Sequence, residues 1–113
     1  MATLSTHILD TSVGLPAATV QVFCDTQTPN GWKRISEGVT DEDGRVKGLQ
    51  GDHPLIEGET YRLTFHTAPY FHRRGIATFY PLVEVQFVVG GDRDHYHVPL
   101  LLNAFGYSTY RGS

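Results

Sequence analysis

The stretch His95-Tyr96-His97-Val98-Pro99-Leu100-Leu101-Leu102 sets the reading of the whole chain. Successive side chains of an extended strand point to opposite faces. Tyr96, Val98 and Leu100 therefore share one face, and His95, His97, Pro99 and Leu101 share the other. Upstream, Gly90-Gly91-Asp92 turns the chain after Leu82 to Val89, where Val83, Val85, Phe87 and Val89 alternate against Glu84, Gln86 and Val88. Downstream, Gly106 to Arg111 puts Tyr107 and Thr109 on one face and Ser108 and Tyr110 on the other. A period of two, broken by turn residues, is the signature of half-buried strands.

The same pattern extends back to the start. Strands are expected over Leu4 to Asp10, Thr19 to Asp25, Trp32 to Thr40, Arg45 to Leu49 and Thr60 to His66. Gly14 and Pro16, Pro29-Asn30-Gly31, Asp41-Glu42-Asp43-Gly44 and Gly51-Asp52-His53-Pro54 supply the loops between them. Ala68 to Arg74, stopped by Gly75, is the one helical segment. About eight short strands with no helices between them exclude a parallel α/β sheet and favour a two-sheet antiparallel β-sandwich. No repeat, linker or low-complexity segment divides residues 1–113, so a single all-β domain is expected.

Composition narrows the function classes. The chain has 113 residues, 40% hydrophobic and 19% charged, which is globular rather than disordered. A formal net charge of −3 and scattered basic residues give no footing for a nucleic-acid partner. The lone cysteine, Cys24, falls in the apolar row Val20-x-Val22-x-Cys24 and reads as a core residue rather than a nucleophile. No apolar run reaches the roughly 18 residues of a membrane span. With no leader and no peroxisomal tripeptide in the sequence, a cytoplasmic location is expected.

Polar residues stand where a bland surface would not put them. With Leu4 and Ile8 inward, the first strand presents Thr3, Ser5, His7 and Leu9 on its other face. Together the faces opposite the core carry His7, His97, Ser108 and Tyr110 beside Leu9, Pro99 and Leu101, with almost no Lys or Glu. Such a mixture suits a face covered by another subunit, with a polar pocket in it. Imidazole is the side chain best matched to proton transfer near neutral pH, so His7 and His97 are candidates for catalysis or binding, packing being the alternative. His53, His66 and His72 read as surface residues. His95-x-His97 places two imidazoles on one face, and His7 as a third ligand would complete a zinc site. Neither a Gly-x-Ser-x-Gly elbow nor a phosphate-binding glycine loop is present.

Four segments in order carry a family likeness: His7-Ile8-Leu9-Asp10 with Gly14-Leu15-Pro16-Ala17; Thr40-Asp41-x-Asp43-Gly44-Arg45; His95 to Leu102; and Tyr107-Ser108-Thr109-Tyr110-Arg111-Gly112-Ser113. Over nearly its whole length the chain resembles the transthyretin-related 5-hydroxyisourate hydrolases. The terminal Tyr-Arg-Gly-Ser is the most specific part, because hormone-carrying transthyretins lack it, as they lack the equivalents of His7, Arg45 and His97. The resemblance implies two four-stranded sheets with a short helix after the fifth strand. It implies a homotetramer, a dimer of dimers whose active sites lie in a central channel. It implies cofactor-independent and metal-free hydrolysis of 5-hydroxyisourate to 2-oxo-4-hydroxy-4-carboxy-5-ureidoimidazoline, a step of urate degradation.

Carried over to this sequence, the functional positions are His7, Arg45, His97 and the tail Tyr110-Arg111-Gly112-Ser113. Opening a cyclic amide needs an activated water, a stabiliser for the oxyanion and a proton donor for the leaving nitrogen. His7, helped by Ser113, is the expected base, Arg45 the anion stabiliser and His97 the orienting group and acid; the two histidines are interchangeable at this stage. Ser108, Tyr110, Arg111 and Gly112 would shape the substrate pocket. The competing readings are a transthyretin-like small-ligand carrier and a zinc-dependent hydrolase built on His95, His97 and His7.

Overall fold

A computed structural model describes residues 2–113. In chain order the strands are β1 (Thr3–Asp10), β2 (Leu15–Pro16), β3 (Gln21–Thr28), β4 (Gly31–Val39), β5 (Arg45–Val46) and β6 (Thr60–Phe65). After β6 comes the helix α1 (Thr67–Arg73), then β7 (Val83–Val88), β8 (His95–Asn103) and β9 (Gly106–Thr109). One sheet runs β2-β1-β8-β9, with β5 also paired to β1; the other runs β4-β3-β6-β7.

The two sheets share one core. From the first come Leu4, Ile8, Val98, Leu100 and Leu102; from the second, Val22, Cys24, Tyr61, Leu63, Phe65 and Val83. Leu4, Ile8, Val22, Cys24, Leu63, Phe65 and Leu100 are fully inaccessible, so the inward rows read from the sequence are the rows that pack. Each such side chain contributes about 1.5–3 kcal/mol by leaving water. Cys24 is among them, and burial followed by the neighbouring Asp25 charge pushes its thiol up to about 12. A thiol so placed stays protonated and packs as a small hydrophobe.

The all-β sandwich agrees with the expectation, with five local differences. β1 and β8 run parallel, from Thr3 opposite His95 to Asp10 opposite Leu102, inside an otherwise antiparallel arrangement. Leu15–Pro16, read as loop, forms a two-residue strand on the edge of β1. The expected strand Arg45 to Leu49 stops at Val46, because the chain bends at Gly48 and Gly51, both at positive φ. The last strand ends at Thr109 rather than Arg111. The helix is displaced by one residue from its expected bounds and closes on Gly75 (φ 70), whose N–H donates to His72 O at 3.0 Å.

α1 is fastened to the first sheet through a buried carboxylate. Tyr70 OH donates to Asp10 Oδ2 at 2.7 Å, and Asp10 Oδ1 accepts from Ser12 N at 3.0 Å and Ser12 Oγ at 2.5 Å. Asp10 is fully inaccessible, and a buried charge is tolerated only when hydrogen-bonded in this way. The end of β1 is thereby fixed, which sets the position of the outer face described next.

Candidate active site

The outer face of the β1–β8 pair gathers the candidate residues by register. Ser5 stands opposite His97, and His7 stands opposite Pro99 on one side and Arg45 on the other. His7 and His97 are thus diagonal neighbours across the parallel pair, and Arg45 flanks His7. Thr3 opposite His95 continues the row.

Arg45 is placed by the turn before it. Asp41 Oδ1 accepts from Asp43 N at 2.9 Å and from Arg45 N at 3.0 Å, which holds its carboxyl below the usual range. Gly44 (φ 74) lets the turn press on β1: its carbonyl accepts from Ile8 N at 2.8 Å, and a Cβ there would lie 2.4 Å from Ile8 O. Only glycine fits both the left-handed backbone and this approach. The Asp41-x-Asp43-Gly44-Arg45 segment therefore sets Arg45 beside His7 in the strand register.

The C-terminal tail returns to His97. The β8–β9 register sets Leu100 opposite Thr109; three residues further it brings Gly112 opposite His97. Gly112 N donates to His97 O at 2.9 Å, and Gly112 O accepts from Arg93 Nη1 at 3.0 Å. Arg111 is held by Asp92, with Nη2 at 2.9 and 3.0 Å from the two carboxylate oxygens. The hydrogen bond from Arg111 is the main reason the Asp92 carboxyl is held below its usual range. By the same register Ser108 and Tyr110 share the outer face with Leu101 and Pro99. Tyr110 is 57% exposed, and Ser108 and Ser113 are also exposed. Among the described residues, no side-chain hydrogen bond joins Ser113 to His7.

The electrostatics single out His97. Its pKa is lowered first by partial burial and then by the charges of Arg45, His95 and His7, so it is neutral at neutral pH. Its Nδ1 shares the Ser5 hydroxyl, 2.8 Å away, with His95 Nε2 at 2.9 Å. Thr3 Oγ1 lies 2.5 Å from the remaining ring nitrogen of His95. The sequence reading placed Ser5 on this face without giving it a role, and Arg93 and Asp92, which fasten the tail, carried no signal. A pocket of about 240 Å³ at the edge between β7 and β9 takes in His97, Tyr110 and Arg111, but not His7 or Arg45. Those two stand on the open face of the sheet. His95 and His97 stack at 6.3 Å with both His95 nitrogens occupied by hydroxyls. Among the described residues, no group of three His, Cys, Asp or Glu is placed to hold a metal ion.

A two-sheet sandwich of this strand order with one short helix defines a protein of transthyretin-like architecture. The model of the HIUase/Transthyretin family matches residues 4–112, and the chain belongs to that family. It is 46% identical over 110 residues to the 5-hydroxyisourate hydrolase of Salmonella typhimurium, covering 97% of this chain and 80% of that one. The structure of Klebsiella pneumoniae 5-hydroxyisourate hydrolase superposes with a TM-score of 0.85 at 36% identity, covering all of both chains. Sea bream transthyretin in complex with thyroxine superposes with a TM-score of 0.87 at 32% identity, covering 96% of this chain and 93% of that one. The backbone alone thus fits a 5-hydroxyisourate hydrolase and a thyroxine-bound transthyretin equally well, and the site chemistry has to separate them.

Proposed function

We propose that this protein hydrolyses 5-hydroxyisourate to 2-oxo-4-hydroxy-4-carboxy-5-ureidoimidazoline, a step of urate degradation, without a cofactor. The observation that carries the reading is the convergence of His7, Arg45 and His97 on one sheet face, with the tail glycine seated on His97. An apolar hormone has no use for two imidazoles and a guanidinium side by side; a cyclic amide under attack by water does.

In this mechanism His7 takes a proton from the attacking water, with Ser113 beside the nucleophile. Arg45 supports the charge that develops on the carbonyl oxygen, through a planar fork suited to anionic oxygen. His97 orients the ring and protonates the leaving nitrogen. Tyr110 and Ser108 wall the site, Gly112 allows close approach, and Arg111 anchors the tail through Asp92. The working form is a homotetramer, a dimer of dimers, which covers the outer face and encloses the site. Its support is that this face is open in a single chain, while β7 and β9 are each paired on one edge only.

The test is a coupled ultraviolet assay in which urate oxidase generates 5-hydroxyisourate in place, with circular dichroism following the product. Faster decay and an optically active product are expected. Decay at the spontaneous rate, from protein shown by sedimentation to be folded and tetrameric, overturns the reading and favours the carrier; tight binding of an iodinated thyronine is the carrier's expectation.

A further inference from the structure

We infer that Thr3, His95 and Ser5 form a proton relay that recharges His97, with Ser5 as the positioning residue at its centre. The inference rests on the hydrolase reading, and it assigns work to three residues outside the His7, Arg45, His97 and tail set.

The geometry is a continuous chain of four groups. Thr3 Oγ1 lies 2.5 Å from His95 Nδ1, His95 Nε2 lies 2.9 Å from Ser5 Oγ, and Ser5 Oγ lies 2.8 Å from His97 Nδ1. Thr3 and His95 are exposed, Ser5 is 7% exposed, and His97 is half-buried. In the single chain this path runs from solvent, through a nearly buried hydroxyl, to the His97 imidazole. Among the described residues His97 Nε2 takes no hydrogen bond, which leaves it for the substrate.

Proton arithmetic explains why His97 needs such a chain. Burial first, and then the Arg45 charge, disfavour its imidazolium form. A neutral imidazole that gave its only N–H proton to a leaving nitrogen would become an imidazolate. The relay avoids that state. In the resting direction Thr3 donates to His95 Nδ1, His95 Nε2–H donates to Ser5 Oγ, and Ser5 donates to His97 Nδ1. When the Nε2–H bond of His97 breaks towards the leaving nitrogen, Ser5 passes its proton to His97 Nδ1. His95 then reprotonates Ser5 from Nε2, Thr3 reprotonates His95 at Nδ1, and water reprotonates Thr3. One proton enters from solvent, one leaves to substrate, and every residue ends neutral with the hydrogen-bond direction reversed. Rotation of the two hydroxyls and tautomer exchange of the two rings restore the resting state. Neutral hydrogen-bonded chains of this kind transmit a proton without a buried charge at any stage.

The experiment compares wild type with Ser5→Ala, Ser5→Thr and His95→Phe in steady-state kinetics and in mixtures of H2O and D2O. Ser5→Ala and His95→Phe are expected to lower kcat about 10- to 100-fold with little change in KM, while Ser5→Thr, which keeps the hydroxyl, retains most of the rate. The wild-type rate should fall along a bowed curve with deuterium fraction, reporting several protons in flight, and the two broken-relay variants should give straight lines. Because His95 is exposed, its variant breaks the same chain without disturbing a buried position. Full turnover in both broken-relay variants, or a straight or flat wild-type curve, overturns the relay. His97→Asn tells the two ideas apart: normal turnover there overturns the hydrolase mechanism itself, whereas a dead His97→Asn beside a fully active Ser5→Ala overturns only the relay.

Discussion

Gly112 packs so tightly on His97 that a Cβ at position 112 would lie 2.6 Å from the ring Cδ2 and 3.1 Å from the His97 carbonyl oxygen. The same glycine donates its N–H to that carbonyl at 2.9 Å. The tail and the imidazole therefore share one position, and neither moves without the other.

Gly112→Ala should shift the His97 ring or expel the tail. A displacement of about 1 Å at a reacting group costs on the order of 100-fold in rate. We expect that loss in kcat/KM with an unchanged urea midpoint, since the tail lies outside the core. Wild-type kinetics in the alanine variant would mean that the ring yields without consequence for turnover.

His97 also fixes a pH signature. Its folded pKa lies below the ordinary imidazole value of 6.5, from burial first and then the Arg45, His95 and His7 charges. For stability, the unfolded chain binds more protons at this site, so stability rises with pH. The contribution is present above pH 6.5 and is lost as pH falls through the lowered folded value. Urea unfolding of wild type and His97→Asn, from about pH 7.5 to about pH 5, should show wild type losing ground to the variant on acidification.

Arg111 is committed to Asp92 by two contacts of 2.9 and 3.0 Å. Asp92→Ala should release the tail and raise KM by roughly 3- to 10-fold, with the fold intact, because half-exposed ion pairs add little to global stability. Added salt should reproduce part of the effect in wild type. If KM stays put, Arg93 holding Gly112 O is sufficient by itself.

Tyr70→Phe removes the donor that reaches Asp10 Oδ2 at 2.7 Å. Hydrogen bonds to charged groups contribute about 1.5–3 kcal/mol, and the carboxylate left behind is fully inaccessible. A loss of about 2 kcal/mol in chemical unfolding is expected. A neutral result would show that Ser12 alone satisfies Asp10.

Strand parity made much of this molecule legible. The rows Tyr96-Val98-Leu100 and Tyr61-Leu63-Phe65 announce their buried faces because side-chain alternation survives without any tertiary information. It also put His7, His97, Ser108 and Tyr110 on the strand faces opposite the core. Parity is blind to strand direction, however, so the parallel pairing of β1 with β8 was not visible. Two residues are too few to alternate, which hid β2. The occupation of Ser5 by two imidazoles depends on register between segments far apart in the chain, and no local pattern encodes it.

The parallel pairing has a consequence for biosynthesis. Thr3 and His95, the first partners of the β1–β8 ladder, are 92 residues apart in sequence. As the chain leaves the ribosome, β1 has only the short β2 and β5 contacts along one edge, and its other edge stays open until β8 is made. Contacts of such sequence separation form late, and an open edge is exposed to association with other chains. Part of the proposed catalytic face is thus synthesised well before the rest. A nascent chain lacks the proposed site until β8 is made, and truncation before β8 removes that site and the partner of β1 in the same cut.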